Sequence, residues 1–167
     1  CVSGITTYTK PSWLPLDIYS DTPDKMLNEL KALSNDEIDA WVHSAAVLDY
    51  VVESPAEGKL ASQQGPLNVK LVESPKHIID LKDKCKDSVR IGFKLETGIK
   101  QKELVRRAVA QLEYAEMTAV IANRLEDLTD KTRPRAYLID KTGADFTLES
   151  MSDVCEAILT VIERGNR

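Results

Sequence analysis

Two apolar runs, residues 89–95 and 117–122, bracket a segment 101–113 in which Leu104, Val105, Ala108 and Leu112 recur at helical spacing. A strand, an amphipathic helix and a second strand in that order leave few packing solutions. The strands lie parallel in one sheet, and the helix crosses back over one face of it. The same alternation extends in both directions. Residues 2–4 read as the tail of a strand, and 16–20 as a short strand after a loop broken by Pro11 and Pro15. Asp21-Thr22-Pro23 then caps a helix carrying Met26, Leu27, Leu30 and Leu33. Residues 39–46, centred on Trp41-Val42, predict a buried strand. Residues 67–72 alternate apolar and polar as a half-exposed strand does, and Ser74-Pro75 opens a helix through Ile78, Ile79 and Leu81. Residues 135–139 and 146–148 predict a hairpin about Lys141-Thr142-Gly143, and a last helix spans about 151–163.

The fold class that follows is α/β: a three-layer, Rossmann-like sandwich with a mainly parallel sheet and an antiparallel hairpin extension. A chain of 167 residues suits a single domain spanning 1–167. Sheets of this kind normally begin with a strand, a Gly-rich turn and a helix whose N-terminus holds phosphate. Here residues 2–4 already read as a second strand, and GxGxxG, GxxxxGK[ST] and GxSxG are all absent. The expectation is a domain lacking its first strand–turn–helix unit.

Charge and cysteine usage narrow the partners. Acidic residues number 27 against 22 basic ones, a net charge of −5, so neither nucleic acid nor an anionic membrane is expected as a partner. No apolar run has transmembrane length, and a cytoplasmic location is expected. Cys1, Cys85 and Cys155 are widely spaced, without CxxC, and only His43 and His77 are available to join them. Three reduced thiols and no protein metal cluster are expected.

In open parallel sheets, ligands bind beyond the carboxyl ends of the strands. Three such ends carry unusual residues. After the Trp41 strand come His43, Ser44, Ala45 and, just beyond, Asp49. Small residues there admit a ligand to the backbone, and Asp49 is either a ligand carboxylate or the cap of a tight turn. Phe93 and Lys94 end the second strand; Phe93 suits a base or the core, Lys94 a phosphate or solvent. Asn123 ends the third, as a site amide or a turn former. The polar stretch 53–65, with Gly58 and Gly65, is long enough to predict a mobile functional loop.

Taken together, Ser44-Ala45-Ala46-Val47-Leu48-Asp49-Tyr50, Gly58-Lys59-Leu60, residues 72–75, Gly92-Phe93-Lys94-Leu95-Glu96-Thr97 and Ala122-Asn123 resemble one family. It is the phosphopantothenate–cysteine ligases, the synthetase half of the DNA/pantothenate metabolism flavoproteins of coenzyme A biosynthesis. The resemblance runs over essentially the whole chain. It implies a ligase joining 4′-phosphopantothenate to cysteine through an acyl-nucleotide, with CTP or ATP as co-substrate and Mg²⁺ on the phosphates. It further implies that His43, Ser44 and Ala45 line the nucleotide, that Asp49 contacts it or its metal, and that Phe93 sits against the base. Lys59 matches the catalytic lysine of a flap that closes on the phosphates, and Asn123 a substrate-binding amide. A homodimer is expected on residues 67–72 and 135–148, whose alternation leaves one face to be wetted or covered. A flavin decarboxylase, fused or separate, is the further partner implied.

The chain departs from the family pattern in places. Ala61 and Ser62 follow Lys59 where bacterial members carry further lysines, and Gln111 and Ala115 stand where the helix before the Asn123 strand often carries two phosphate lysines. These departures, with the missing N-terminal unit, keep open a non-catalytic nucleotide-binding relative of the same fold. An NAD(P)-linked oxidoreductase fragment is the more distant alternative. It would use Asp17 or Asp21 as its ribose acid, but no Tyr-Lys or Cys-His pair follows to do the chemistry.

Overall fold

A computed structural model describes residues 1–4, 9–34, 38–62, 65–142 and 145–165, which fall into two compact units. The first comprises Cys1–Leu30 and Ala45–His77, the second Lys31–Ser44 and Ile78–Arg167.

In the first unit, β1 (Val2–Ser3) pairs in parallel with β2 (Ile18–Tyr19). The Ser3 hydroxyl donates to Asp17 at 2.9 Å, which assigns Asp17 a structural partner beside this pair. Helix α1 (Pro23–Leu33) begins as its sequence predicts. Pro23 occupies the first turn, where its missing N–H costs nothing, and the Thr22 hydroxyl accepts from Lys25 N at 3.3 Å. Asp21 pairs with Lys25 at 2.8 Å. The His77 ring donates from Nε2 to the Pro23 carbonyl at 2.9 Å; since a carbonyl only accepts, this bond places a proton on Nε2.

The strand expected over 67–72 is shorter and later. It is β5 (Leu71–Glu73), paired antiparallel with β4 (Tyr50–Val52), a strand that the sequence pattern did not predict. Glu53 N donates to Lys70 O at 3.0 Å and Ser74 N to Asp49 O at 2.9 Å, closing the ribbon at both ends. Leu67, Val69 and Leu71 are all exposed, so their alternation with polar residues marks no buried face within this structure.

The second unit holds a five-stranded sheet in the order β3-β6-β7-β8-β9. Strand β3 (Ala40–His43) lies parallel to β6 (Val89–Glu96), and β6 parallel to β7 (Ala119–Arg124). Strands β8 (Ala136–Asp140) and β9 (Asp145–Leu148) add an antiparallel hairpin at the β7 side. Gly143, in the turn of that hairpin, lies outside the described residues, as do Gln63 and Gln64 of the 53–65 loop. The strand expected over 39–46 ends at His43, and within it only Trp41 is fully buried.

Alternate residues of β7 explain the layers. Val120 and Ala122 face α3 (Gln101–Tyr114) together with Tyr137 and Ile139, in one core with Leu104, Ala108 and Leu112. Ala119 and Ile121 face the other way, into a core with Ile91, Ala136 and the inner face of α4 (Met151–Gly165), Val154 and Val161. Burying each large aliphatic side chain contributes about 1.5–3 kcal/mol, which fixes both helices on opposite faces of the sheet. The short α2 (His77–Asp80) gives way to turns rather than running on through Leu81.

Cys1 and Cys155 are exposed, Cys85 is buried, and all three are free thiols. Among the described residues, no helix is long and apolar enough to cross a membrane.

Candidate functional site

The carboxyl ends of the three parallel strands meet at one edge of the second unit. His43, the last residue of β3, stands in register with Gly92, which is in register with Val120. Strands β6 and β7 continue further, to the pairs Leu95–Asn123 and Glu96–Arg124. His43, Ser44, Phe93 and Asn123 therefore share this edge. The His43 ring stacks on that of Trp41, two residues earlier on the same face, with centroids 6.3 Å apart and planes at 12°. Phe93 is half-buried and packs against the α4-side core, so part of its ring serves packing. Asn123 is half-buried.

A chain of opposite charges runs along the same edge. Lys94 pairs with Glu96 at 3.1 Å, Glu96 with Arg107 at 2.7 Å, and Arg107 with Glu103 at 2.8 Å. Arg106 binds Glu103 through Nε and Nη2 at 2.8 and 2.7 Å. These two guanidiniums, Arg106 first, hold the Glu103 carboxyl down to about 2. Lys94, left open between phosphate and solvent, has Glu96 as its partner.

The turn after β6 is clamped to the segment after β7. Gly98 has φ of 68°, a left-handed conformation that suits glycine, and its N–H donates to Glu126 at 2.7 Å. A bond from its own backbone N–H, and then the one from Gly98, lower the Glu126 pKa. Arg124 grips Asp127 through Nε at 2.7 Å and Nη2 at 3.0 Å, and donates from Nη1 to Ile99 O at 3.2 Å. Asp127 is buried and also accepts from Arg133 at 3.2 Å. A buried carboxylate between two guanidiniums makes a rigid support for the strand ends. None of this cluster was read from the sequence, although Arg124 and Asp127 at i and i+3 were the available signal.

Gln111 and Ala115 are both buried, at 5% and 0% exposure. Gln111 donates from Nε2 to Phe93 O at 3.3 Å, and Ala115 closes α3. Neither side chain is offered to solvent, so neither can meet a phosphate.

Ala45, Asp49 and Lys59 belong to the first unit. All three are exposed. The backbone carbonyl of Asp49 accepts from Ser74 N at 2.9 Å. Lys59 sits in a stretch, 53–62, that is exposed throughout and contains no strand or helix. Gly58 and Gly65 take φ of 96° and 77°, conformations that L side chains rarely adopt, with open space where a Cβ would stand. Among the described residues, no group of three or more His, Cys, Asp or Glu is arranged to hold a metal.

The family model of the DNA/pantothenate metabolism flavoprotein C-terminal domain matches residues 1–165. The chain belongs to this family. The bifunctional coenzyme A biosynthesis protein CoaBC of Methanocaldococcus jannaschii is 34% identical over 144 residues, covering 86% of this chain and 35% of that protein. Phosphopantothenate–cysteine ligase 2 of Oryza sativa subsp. japonica is 38% identical over 90 residues, covering 52% of this chain and 27% of that protein. The chain thus spans about a third of the curated relatives it matches. Among solved structures, the DNA/pantothenate metabolism flavoprotein of Streptococcus pneumoniae superposes with a TM-score of 0.82 at 20% identity, over 98% of this chain and 79% of that one. A Cab2 mutant in complex with phosphopantothenate-cysteine superposes with a TM-score of 0.70 at 20% identity, over 90% of this chain and 53% of that one. These two establish the fold of the family domain. It is the α/β sandwich with a mixed sheet, the hairpin supplying the antiparallel part.

Proposed function

We propose that this family domain is the synthetase part of a phosphopantothenate–cysteine ligase. It would join 4′-phosphopantothenate to cysteine with CTP or ATP. The observation that carries the reading is the segment Gly92–Thr97, which ends β6 on the ligand-binding edge of the sheet with Asn123 beside it. The names of the sequence relatives point the same way.

The chemistry explains what such a site must do. A carboxylate is a poor electrophile until one oxygen becomes part of a good leaving group. Attack of the pantothenate carboxylate on the α-phosphate forms the acyl-nucleotide and expels pyrophosphate. The cysteine amine then attacks the acyl carbon and nucleoside monophosphate departs. The first step brings two anions together, so positive charge must offset their repulsion.

In this reading His43, Ser44 and Ala45 line the nucleotide, Phe93 borders the base and Asn123 holds the pantothenate moiety. Lys59 supplies the catalytic cation from the 53–65 loop. Mg²⁺ fits as an ion carried mainly by the phosphates, since it commonly needs only one or two protein carboxylates and Asp49 offers one exposed carboxylate. When bound it neutralises triphosphate charge. A homodimer is favoured by the exposed apolar residues of the β4–β5 ribbon, Tyr50, Val52 and Leu71, and by Phe146 on the edge strand β9. A fused decarboxylase fits the bifunctional relative, and a cytoplasmic location fits such a pathway enzyme.

The test is pyrophosphate release by the full-length protein with phosphopantothenate, cysteine and CTP or ATP. Release dependent on phosphopantothenate, and faster with one triphosphate, supports the reading. Nucleotide binding without pyrophosphate release would assign the non-catalytic alternative instead.

A further inference from the structure

The strongest unassigned feature lies at the other end of the second unit's sheet. Lys82, Lys86, Arg90, Leu112, Glu113, Glu116 and Lys141 line a cleft of about 420 Å³. Arg90 is the second residue of β6, whereas Glu96 ends that strand. Six residues of strand separate the two ends by roughly 20 Å. The cleft is therefore not part of the edge that carries Phe93 and Asn123.

The buried guanidinium is the unusual element. Arg90 is 2% exposed, flanked in sequence by the buried Val89 and Ile91. Nη1 donates to Ala115 O at 2.7 Å and Nη2 to Ile78 O at 2.5 Å, while Nε is buried without a hydrogen-bond partner. No carboxylate pairs with it among the described salt bridges, so a full positive charge sits in the floor of the cleft without a counter-ion in contact. Burial of such a charge is costly and its field is poorly screened.

The rim adds to that field. Lys82 pairs with Glu116 at 2.5 Å, but Lys86 and Lys141 form no ion pair among the described residues. Four cations against two carboxylates leave an excess of two positive charges, in a chain whose net charge is −5. Glu116 occupies a position where glycine is the usual choice. Its φ is 50°, and it caps α3 in a Schellman arrangement, with Met117 N bonded to Leu112 O at 2.9 Å and Glu116 N to Glu113 O at 3.2 Å. A side chain kept there at a backbone cost places a carboxylate beside Lys82 in the cleft wall.

We propose that this cleft is a second anion site of the domain, taking the phosphate group of a small organic molecule. Lys86 and Lys141 make the contacts and the buried Arg90 supplies the field. The volume falls within the range of small-molecule pockets, larger than a bare ion needs. Glu113 and Glu116 disfavour a second anionic group and favour a hydroxyl or ammonium beside the phosphate.

The test uses inorganic phosphate as the probe and backbone amide resonances of the chain as the readout. Saturable shifts are expected in residues 82–90 and 113–118, fading as added salt screens the charges. The double variant Lys86→Glu, Lys141→Glu reverses two exposed charges and should weaken this titration by about tenfold or more. Glu116→Gln should tighten it. A dispersed spectrum, together with a melting temperature equal to that of the wild type, verifies that each variant is folded. Shifts confined to residues 93–98 would mean phosphate at the carboxyl edge only and would overturn the second site. So would an unchanged titration in the double variant.

Discussion

The side-chain amide of Gln111 occupies the space that a Cβ on Gly92 would need. Its Nε2 lies 2.8 Å from that ideal Cβ position and donates to the carbonyl of Phe93, the next residue. The glycine of the Gly92–Thr97 segment thus has a packing reason: it admits a polar group from α3 onto a buried strand, where the amide meets a carbonyl. Gly92→Ala should push the amide away and destabilise the protein by about 1–2 kcal/mol, the scale of a buried hydrogen bond lost. In a Gln111→Ala background the same change should cost much less. A double-mutant cycle by urea unfolding measures the coupling, and strictly additive effects would show that the two residues do not compete for this space.

Arg90 satisfies the carbonyl of Ala115, one of those that the end of α3 leaves without a helical partner. Arg90→Met removes the buried charge but strands two carbonyls. With hydrogen bonds from charged groups each worth about 1.5–3 kcal/mol and desolvation partly relieved, a net loss of about 2 kcal/mol is expected. The check is the denaturation midpoint at constant slope. A midpoint at or above wild type would mean that burying the guanidinium costs as much as its bonds return.

Glu103 sets an acid-side dependence. Its folded pKa, about 2, lies below the usual 4.5, so its contribution to stability is complete above 4.5 and is lost as pH falls through 2. The group is only partly exposed, yet its two partners are at the surface, so salt should raise the folded midpoint. Carboxyl titration by NMR should place Glu103 near pH 2 and move it towards 4.5 when Arg106 and Arg107 are both replaced by Gln. A midpoint that ignores these substitutions would leave the α3 N-terminus, not the two guanidiniums, as its cause.

Lys59→Ala, in the full-length protein, should cost roughly 2–4 kcal/mol of transition-state stabilisation, as for one strong electrostatic donor. The loss should fall on acyl-nucleotide formation more than on attack by cysteine. Stability should stay within about 0.5 kcal/mol, since Lys59 lies in an exposed stretch. Acyl-nucleotide forming at the wild-type rate would make Lys59 an ordinary surface lysine.

The stretch 53–65 should exchange its amides rapidly without ligand and become protected with saturating triphosphate. Gly58 and Gly65, both in left-handed conformations, are the expected hinges. Equal protection in the two states would count against a closing loop.

Local patterns determined much of the second unit. The run 89–95, the helix with Leu104, Ala108 and Leu112, the strand to Asn123, the hairpin and the last helix all appear close to where hydrophobic spacing puts them. Spacing is legible because each of these elements buries one face against a neighbour adjacent in sequence. The first unit was less legible. Its strands of two and three residues are too short to show a period, and β4 finds β5 only across the intervening loop. The direction in which single polar side chains point was decided only by the tertiary structure. Gln111 turns onto Gly92, Arg90 lies in the core with two carbonyls, and Asp127 is held between Arg124 and Arg133. A polar residue on a helix or strand is buried only where the fold delivers its partner, and those partners come from elements that no local window contains.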